Sequence, residues 1–193
     1  MSLDVCILAG GHGRRLAGLW DSPKCLVPYK GRPLIEELVN RALALRPRKI
    51  YLLLGHRASE VVAWREGCCP HRDVVLIIET EPLGTAGALR NVAPLLRAPV
   101  LVLNGDTLPG YDLSGLVQFH ERSWQPTATV AWCNNVHAGA SVLSDRALSH
   151  IVNFYDETDD LYAMLRGMSL RYDVSEFLDV GTPEGFHKVG RKT

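Results

Sequence analysis

The sequence predicts a three-layer α/β/α fold on a Rossmann-like, mostly parallel sheet that becomes mixed in its second half. Three observations carry this prediction. Short apolar runs alternate along the chain with amphipathic helical patterns, as in consecutive βαβ units. Several runs are apolar throughout, the pattern of strands covered on both faces. The runs in the second half are shorter and less apolar, which places an antiparallel or irregular part there.

Leu3 to Ala9 is the first strand, stopped by Gly10-Gly11. Pro33 to Leu45 is a helix, because Leu34, Ile35, Leu38, Val39, Ala42 and Leu43 recur at helical spacing and proline suits a first turn. Ile50 to Leu54 is a strand, Ala58 to Arg65 a short helix and Val74 to Ile78 the third strand. Thr85 to Leu96 is helical, with Thr85 able to cap it and Pro94 distorting its end. Pro99 to Leu103 is a strand closed by Asn104-Gly105-Asp106, and Asp112 caps a helix to about Arg122. Thr127 to Cys133 is a β-branched strand, and Ala140 to Leu143 is a short one. Ser144 caps a helix to about Asn153, and Thr158 to Leu165 is a further helix. Glu176 to Val180 is the last strand, and Thr182-Pro183-Glu184 starts a final helix.

The 193 residues fit a single domain over 1–193. A chain of that size buries roughly 70% of its unfolded surface, so no disulfide or metal is needed to hold it. Hydrophobic residues make up 47% and charged residues 22%, which excludes disorder. Lys and Arg number 21, as do Asp and Glu, so the net charge is zero. That excludes a basic sheath for nucleic acid and a polybasic membrane anchor. No apolar run is long enough to span a membrane, and Met1 to Ala9, interrupted by Asp4, does not read as a signal peptide. Cys6, Cys25, Cys68, Cys69 and Cys133 are odd in number and lie partly in apolar runs, which fits a reducing cytoplasm. Cys68, Cys69 and His71 lack a C-x2-C pair, so a loop with incidental thiols is expected there in place of zinc.

In open α/β sheets ligands bind beyond the C-terminal strand ends. Four informative stretches fall there: Gly10 to Arg15, Glu79 to Gly87, Asn104 to Asp106, and Asp179 to Thr182. Gly10-Gly11-His12-Gly13 lets backbone N–H groups approach an anion, and Arg14 and Arg15 follow it as polyphosphate clamps. The loop is neither a Walker A sequence nor a dinucleotide fingerprint. Lys24, between Pro23 and Pro28 on the same excursion, can supply a point charge to a phosphoryl group. Gly84, Thr85 and Gly87 have little bulk, so a base or ribose can lie against their backbone. Asp106 and Asp179 end two distant strands, and such carboxylates are hard oxygen ligands for Mg2+.

Together these segments resemble the sugar-1-phosphate nucleotidyltransferases. The family's Gly-Gly-x-Gly-Thr-Arg-Leu loop and Pro-Lys-x-Leu-x-Pro segment are similar to Gly10 to Leu16 and Pro23 to Pro28. Its Pro-Leu-Gly-Thr-Ala-Gly-Ala, Gly-Asp and Asp-x-Gly-Thr-Pro elements match Pro82 to Ala88, Gly105-Asp106 and Asp179 to Pro183. The resemblance runs from about Leu3 to Phe186 and looks closest to the short mannose and heptose 1-phosphate guanylyltransferases.

It implies transfer of a nucleoside monophosphate from an NTP, GTP first, to a hexose or heptose 1-phosphate, with Mg2+. The implied nucleotide site is Leu8, Gly10, Gly11, Gly13, Arg14, Pro82, Gly84, Thr85 and Gly87. Arg15 would bind the leaving pyrophosphate, Lys24 the α-phosphate, and Asp106 and Asp179 the metal. His137 and Gly139 would meet the sugar phosphate.

Two departures stand out. Arg14 replaces the family threonine, and the Glu-Lys segment expected before His137-Ala138-Gly139 is missing. The acceptor phosphate then needs another cation, from Arg14, His137, Arg171 or the second subunit of a homodimer. Two rival readings follow: a nucleotide-sugar-binding or regulatory relative without turnover, and an enzyme like the molybdenum-cofactor guanylyltransferases.

Overall fold

A computed structural model describes residues 3–68, 71–153 and 160–190. Cys69 and the side chain of Cys68 lie outside the described residues, as does the first part of the expected helix from Thr158.

The central sheet begins with β1 (Asp4–Ala9), which pairs in parallel with β4 (Lys49–Leu54) on one side and β6 (Val100–Asn104) on the other. β5 (Val74–Ile78) extends it beyond β4. Beyond β6 lies β9 (Val136–Leu143), antiparallel to both β6 and β8 (Ala128–Cys133). β10 (Ser169–Asp173) closes that edge parallel to β8, giving the seven-stranded order β10-β8-β9-β6-β1-β4-β5. Two small ribbons complete the set: β2 (Pro28–Tyr29) with β3 (Arg32–Pro33), and β7 (Thr107–Pro109) antiparallel to β11 (Phe177–Asp179).

Side-chain alternation along β1 divides the core. Val5 and Ile7 join a cluster with residues of α1 (Leu34–Ala44), α2 (Ala58–Cys68), α4 (Leu113–Arg122) and α7 (Pro183–Gly190). Cys6 points to the opposite cluster, with α3 (Gly84–Val92), α5 (Asp145–Asn153) and α6 (Leu161–Met164). Helices therefore cover both faces, as the apolar strands require. The three layers and the mixed second half agree with the sequence.

The differences are local and have physical causes. α3 starts at Gly84 and its regular part stops at Val92, where Ala93–Leu95 tighten into a 3-10 turn around Pro94. Leu83 stands at its N-cap position without a side-chain cap, while Thr85 Oγ1 accepts from the Leu161 N–H at 2.9 Å and ties α6 to α3. Pro33 precedes α1 instead of filling its first turn. β9 starts at Val136, earlier than its apolar run, because Asn134 (φ 49°) and Asn135 (φ 63°) close a two-residue hairpin from β8. β10 escapes the sequence reading because this edge strand is short and largely exposed, and its alternation rests on Leu170 and Tyr172 alone.

Leu52 lies fully buried in the middle of β4. Leu52→Ala should lower stability by about 2–5 kcal/mol, measured as a urea-midpoint shift with unchanged slope.

Candidate functional site

The strand ends β1, β4, β5 and β6 open onto one cleft of about 330 Å3. Leu8, Gly10, Gly11, Lys24, Pro82, Gly84, Thr85 and Asp106 line it, so most of the expected nucleotide residues come together. The sequence folds this way because backbone bonds continue past the strands. The Gly105 N–H donates to Leu8 O at 2.9 Å, the Glu79 N–H to Leu54 O at 2.8 Å, and the His56 N–H to Gly10 O at 3.1 Å.

The charged centre sits at one rim. The Lys24 ammonium is paired with the Asp106 carboxylate. Arg15 Nη1 lies 3.6 Å from Asp179 Oδ2, and Asp179 Oδ1 accepts from the Gly181 N–H at 2.8 Å. β7 and β11 bring the two carboxylates together, with the Val180 N–H donating to Asp106 O at 2.8 Å. A Cβ at Gly181 would fall on Asp106 Oδ2 and lie 3.0 Å from both Asp179 Oδ1 and Lys24 Nζ. The residue there must be glycine to leave these three groups a common space.

Burial, and next the charge of Asp106, pushes the Asp179 pKa upward against Arg15, the Gly181 N–H and Lys24. Two carboxylates facing one space repel, and a divalent cation relieves that repulsion. The donor set fits such an ion: hard oxygens from two side chains. Among the described residues no group of three or more His, Cys, Asp or Glu side chains gathers to hold a metal ion by itself.

Other expected residues stand elsewhere. Gly13 packs beside the Lys24 stem, and Arg14 is exposed in the 3-10 turn Arg14–Leu16. Gly87 is buried within α3, and Ala88 lines the cleft instead. His137 does not reach the cleft. Its ring packs on Tyr162 with centroids 3.7 Å apart, and its Nδ1 accepts from the Gly139 N–H at 3.2 Å. Burial pushes its pKa down to about 4, so it is neutral at pH 7 and supplies no charge to a phosphate. Gly139 (φ +81°) lets β9 pass under Thr107, whose side chain would collide with a Cβ there. Arg171 is held at the sheet edge by Asp173 (2.7 Å) and sits over the Trp132 ring.

The cleft also contains residues that sequence reasoning did not select. Glu79 directly follows β5 and presses against Gly10 and Gly55, where any Cβ would meet its Oε1. Burial pushes its pKa up, opposed by the Leu83 N–H and by His12. Tyr162 comes from α6 and donates to Asn104 Oδ1 at 3.1 Å, while burial raises its pKa. Glu79 had a signal, a carboxylate at the end of an apolar strand; Tyr162 had none.

The chain matches the Nucleotidyl transferase family over residues 5–140. It is 30% identical over 162 residues to mannose-1-phosphate guanylyltransferase of Mycobacterium tuberculosis, covering 82% of this chain and 45% of that protein. It is 37% identical over 106 residues to the bifunctional protein GlmU of Burkholderia orbicola, covering 54% of this chain and 22% of that protein. The chain thus spans less than half the length of these relatives. Among solved structures it is similar to HddC from Yersinia pseudotuberculosis complexed with GMP-PN, at TM-score 0.80 and 24% identity over 98% of both chains. UDP-glucose pyrophosphorylase from Acinetobacter baumannii follows the same fold, at TM-score 0.75 and 18% identity over 98% of this chain and 92% of that one. With the strand-end cleft and its charged rim already described, the family match over residues 5–140 makes this chain a member of the nucleotidyl transferase family.

Proposed function

We propose that this chain transfers a nucleoside monophosphate from an NTP to a hexose or heptose 1-phosphate, releasing pyrophosphate and forming an NDP-sugar. The observation that carries this reading is the convergence of Lys24, Arg15, Asp106 and Asp179 at the rim of one glycine-lined cleft.

An oxygen of the acceptor phosphate attacks the α-phosphorus. The bond from that phosphorus to the bridging oxygen breaks, and pyrophosphate leaves with the electron pair. A phosphate monoester with a second pKa near ~6 is already largely dianionic at pH 7, so no general base is needed. Positioning and charge neutralisation remain for the protein to supply. Lys24, held at the cleft by Asp106, meets the α-phosphate. Arg15 meets the leaving pyrophosphate, and the Gly10–Gly13 backbone holds the chain of phosphates. Asp106 and Asp179 are the ligands we assign to Mg2+, which when bound neutralises phosphate charge. With His137 neutral and Arg171 engaged at the sheet edge, Arg14 is the cation we assign to the acceptor phosphate.

Glu79 supports guanine as the base. An ionised carboxylate offers acceptors only. Guanine alone carries two neighbouring donors on its pairing edge, N1–H and the N2 amino group. Adenine, cytosine, uracil and thymine each set an acceptor beside their donor there.

In a pyrophosphate-release assay with Mg2+, GTP and a panel of sugar 1-phosphates should turn over. NDP-sugar binding by calorimetry without release would instead favour a binder. Glu79→Gln should cut the preference for GTP over UTP by about tenfold or more, read as a ratio of kcat/KM values. Asp106→Ala should reduce kcat on the order of 100-fold or more.

Asp179→Asn should lose turnover similarly yet melt higher than wild type in metal-free buffer at pH 7. The folded-state pKa of Asp179 is raised, so its ionised form destabilises the fold above that pKa. The difference in melting temperature should shrink as pH falls through the raised folded-state pKa and be largely gone below about 4, where the carboxyl is protonated in both states.

A further inference from the structure

His12 is the one residue of the Gly10–Gly13 loop with a side chain. Its ring lines the cleft and lies flat on His56, with centroids 4.8 Å apart and planes inclined by 20°. His56 follows β4, and its backbone N–H bond to Gly10 O ties the same two segments together. Both residues are exposed, so the stack is not part of a core that would explain it. The His12 imidazole is also within electrostatic reach of Glu79, which enters the cleft from β5.

We propose that the His12 ring, backed by His56, is the surface on which the nucleotide base stacks while Glu79 reads the base edge. This rests on the nucleotide-transfer reading above and adds the group that holds the face of the base. A flat heterocycle needs contacts of two kinds, at its edge and on its face. Edge contacts discriminate between bases. Face contacts are tolerant, because every base presents a π-surface. The two roles fall to different residues here, and they separate in experiment. His12 sets affinity for any nucleotide, Glu79 sets the choice among nucleotides, and His56 is a positioning residue that holds the His12 plane.

Calorimetry on the full chain with Mg2+ tests this, using GMP, UMP and pyrophosphate as probes. His12→Ala should weaken GMP and UMP alike by about tenfold while pyrophosphate affinity stays within about twofold. His12→Phe should keep GMP affinity near wild type, since it restores a flat ring. His56→Ala should give a smaller loss than His12→Ala. Unchanged GMP binding by His12→Ala would overturn the proposal. So would an equal loss for pyrophosphate, which would mean that the variant only loosens the loop. A wild-type chain that binds pyrophosphate but neither GMP nor UMP also overturns it. Failure of the wild type to bind all three probes would overturn the nucleotide-transfer reading itself, and this proposal with it.

Discussion

The site depends on backbone hydrogen bonds that continue the sheet one step past its strands. The Leu8 and Gly10 carbonyls of the β1 exit accept from Gly105 and His56, and Leu54 accepts from Glu79. Each bond fixes the first or second residue of a loop, so the side chains that follow inherit the rigidity of the sheet. Asp106 comes next after Gly105, and Glu79 carries one of the bonds itself. Sites built this way on strand ends are held more tightly than sites carried by free loops.

Electrostatics gives this rigid frame its tension. The whole chain is neutral, yet Asp106 and Asp179 share a space with Lys24 and Arg15 nearby. The two cations offset the repulsion, yet burial first and the Asp106 charge second still push the Asp179 pKa upward. A fold that held only neutral groups there would be more stable and would lack the charged centre. This trade between stability and function recurs at binding sites in general.

The parallel half of the sheet is legible in the sequence because its strands are largely apolar and three of the four, β1, β4 and β6, run into a glycine. The charged half of the site is largely legible for a related reason, since Gly10, Asp106 and Asp179 lie at strand ends that periodicity reveals, while Lys24 is marked by the prolines that flank it in the excursion after β1. What the sequence hides depends on distant neighbours. Thr85 reads as a cap but serves α6, a partner far along the chain. His137 reads as a cation, and only its burial against Tyr162 shows that it is neutral. Gly87 reads as a base frame because its sequence neighbours are right, yet the rotation of α3 turns it toward the core. Tyr162 has no local signal, because its value lies in the hydrogen bond to Asn104.

The ion pairs at the rim span most of the chain. Lys24 and Asp106 are 82 positions apart, and Arg15 reaches Asp179 on the last strand. The charged centre is therefore assembled late, after the slow closure of long loops has brought both ends of the sequence to the same rim. During synthesis the N-terminal loop and its lysine emerge first and meet Asp106 long before Asp179 exists. A nascent chain at that stage holds its lysine but only half of its carboxylate pair. The full charged centre thus exists only once synthesis has passed Asp179.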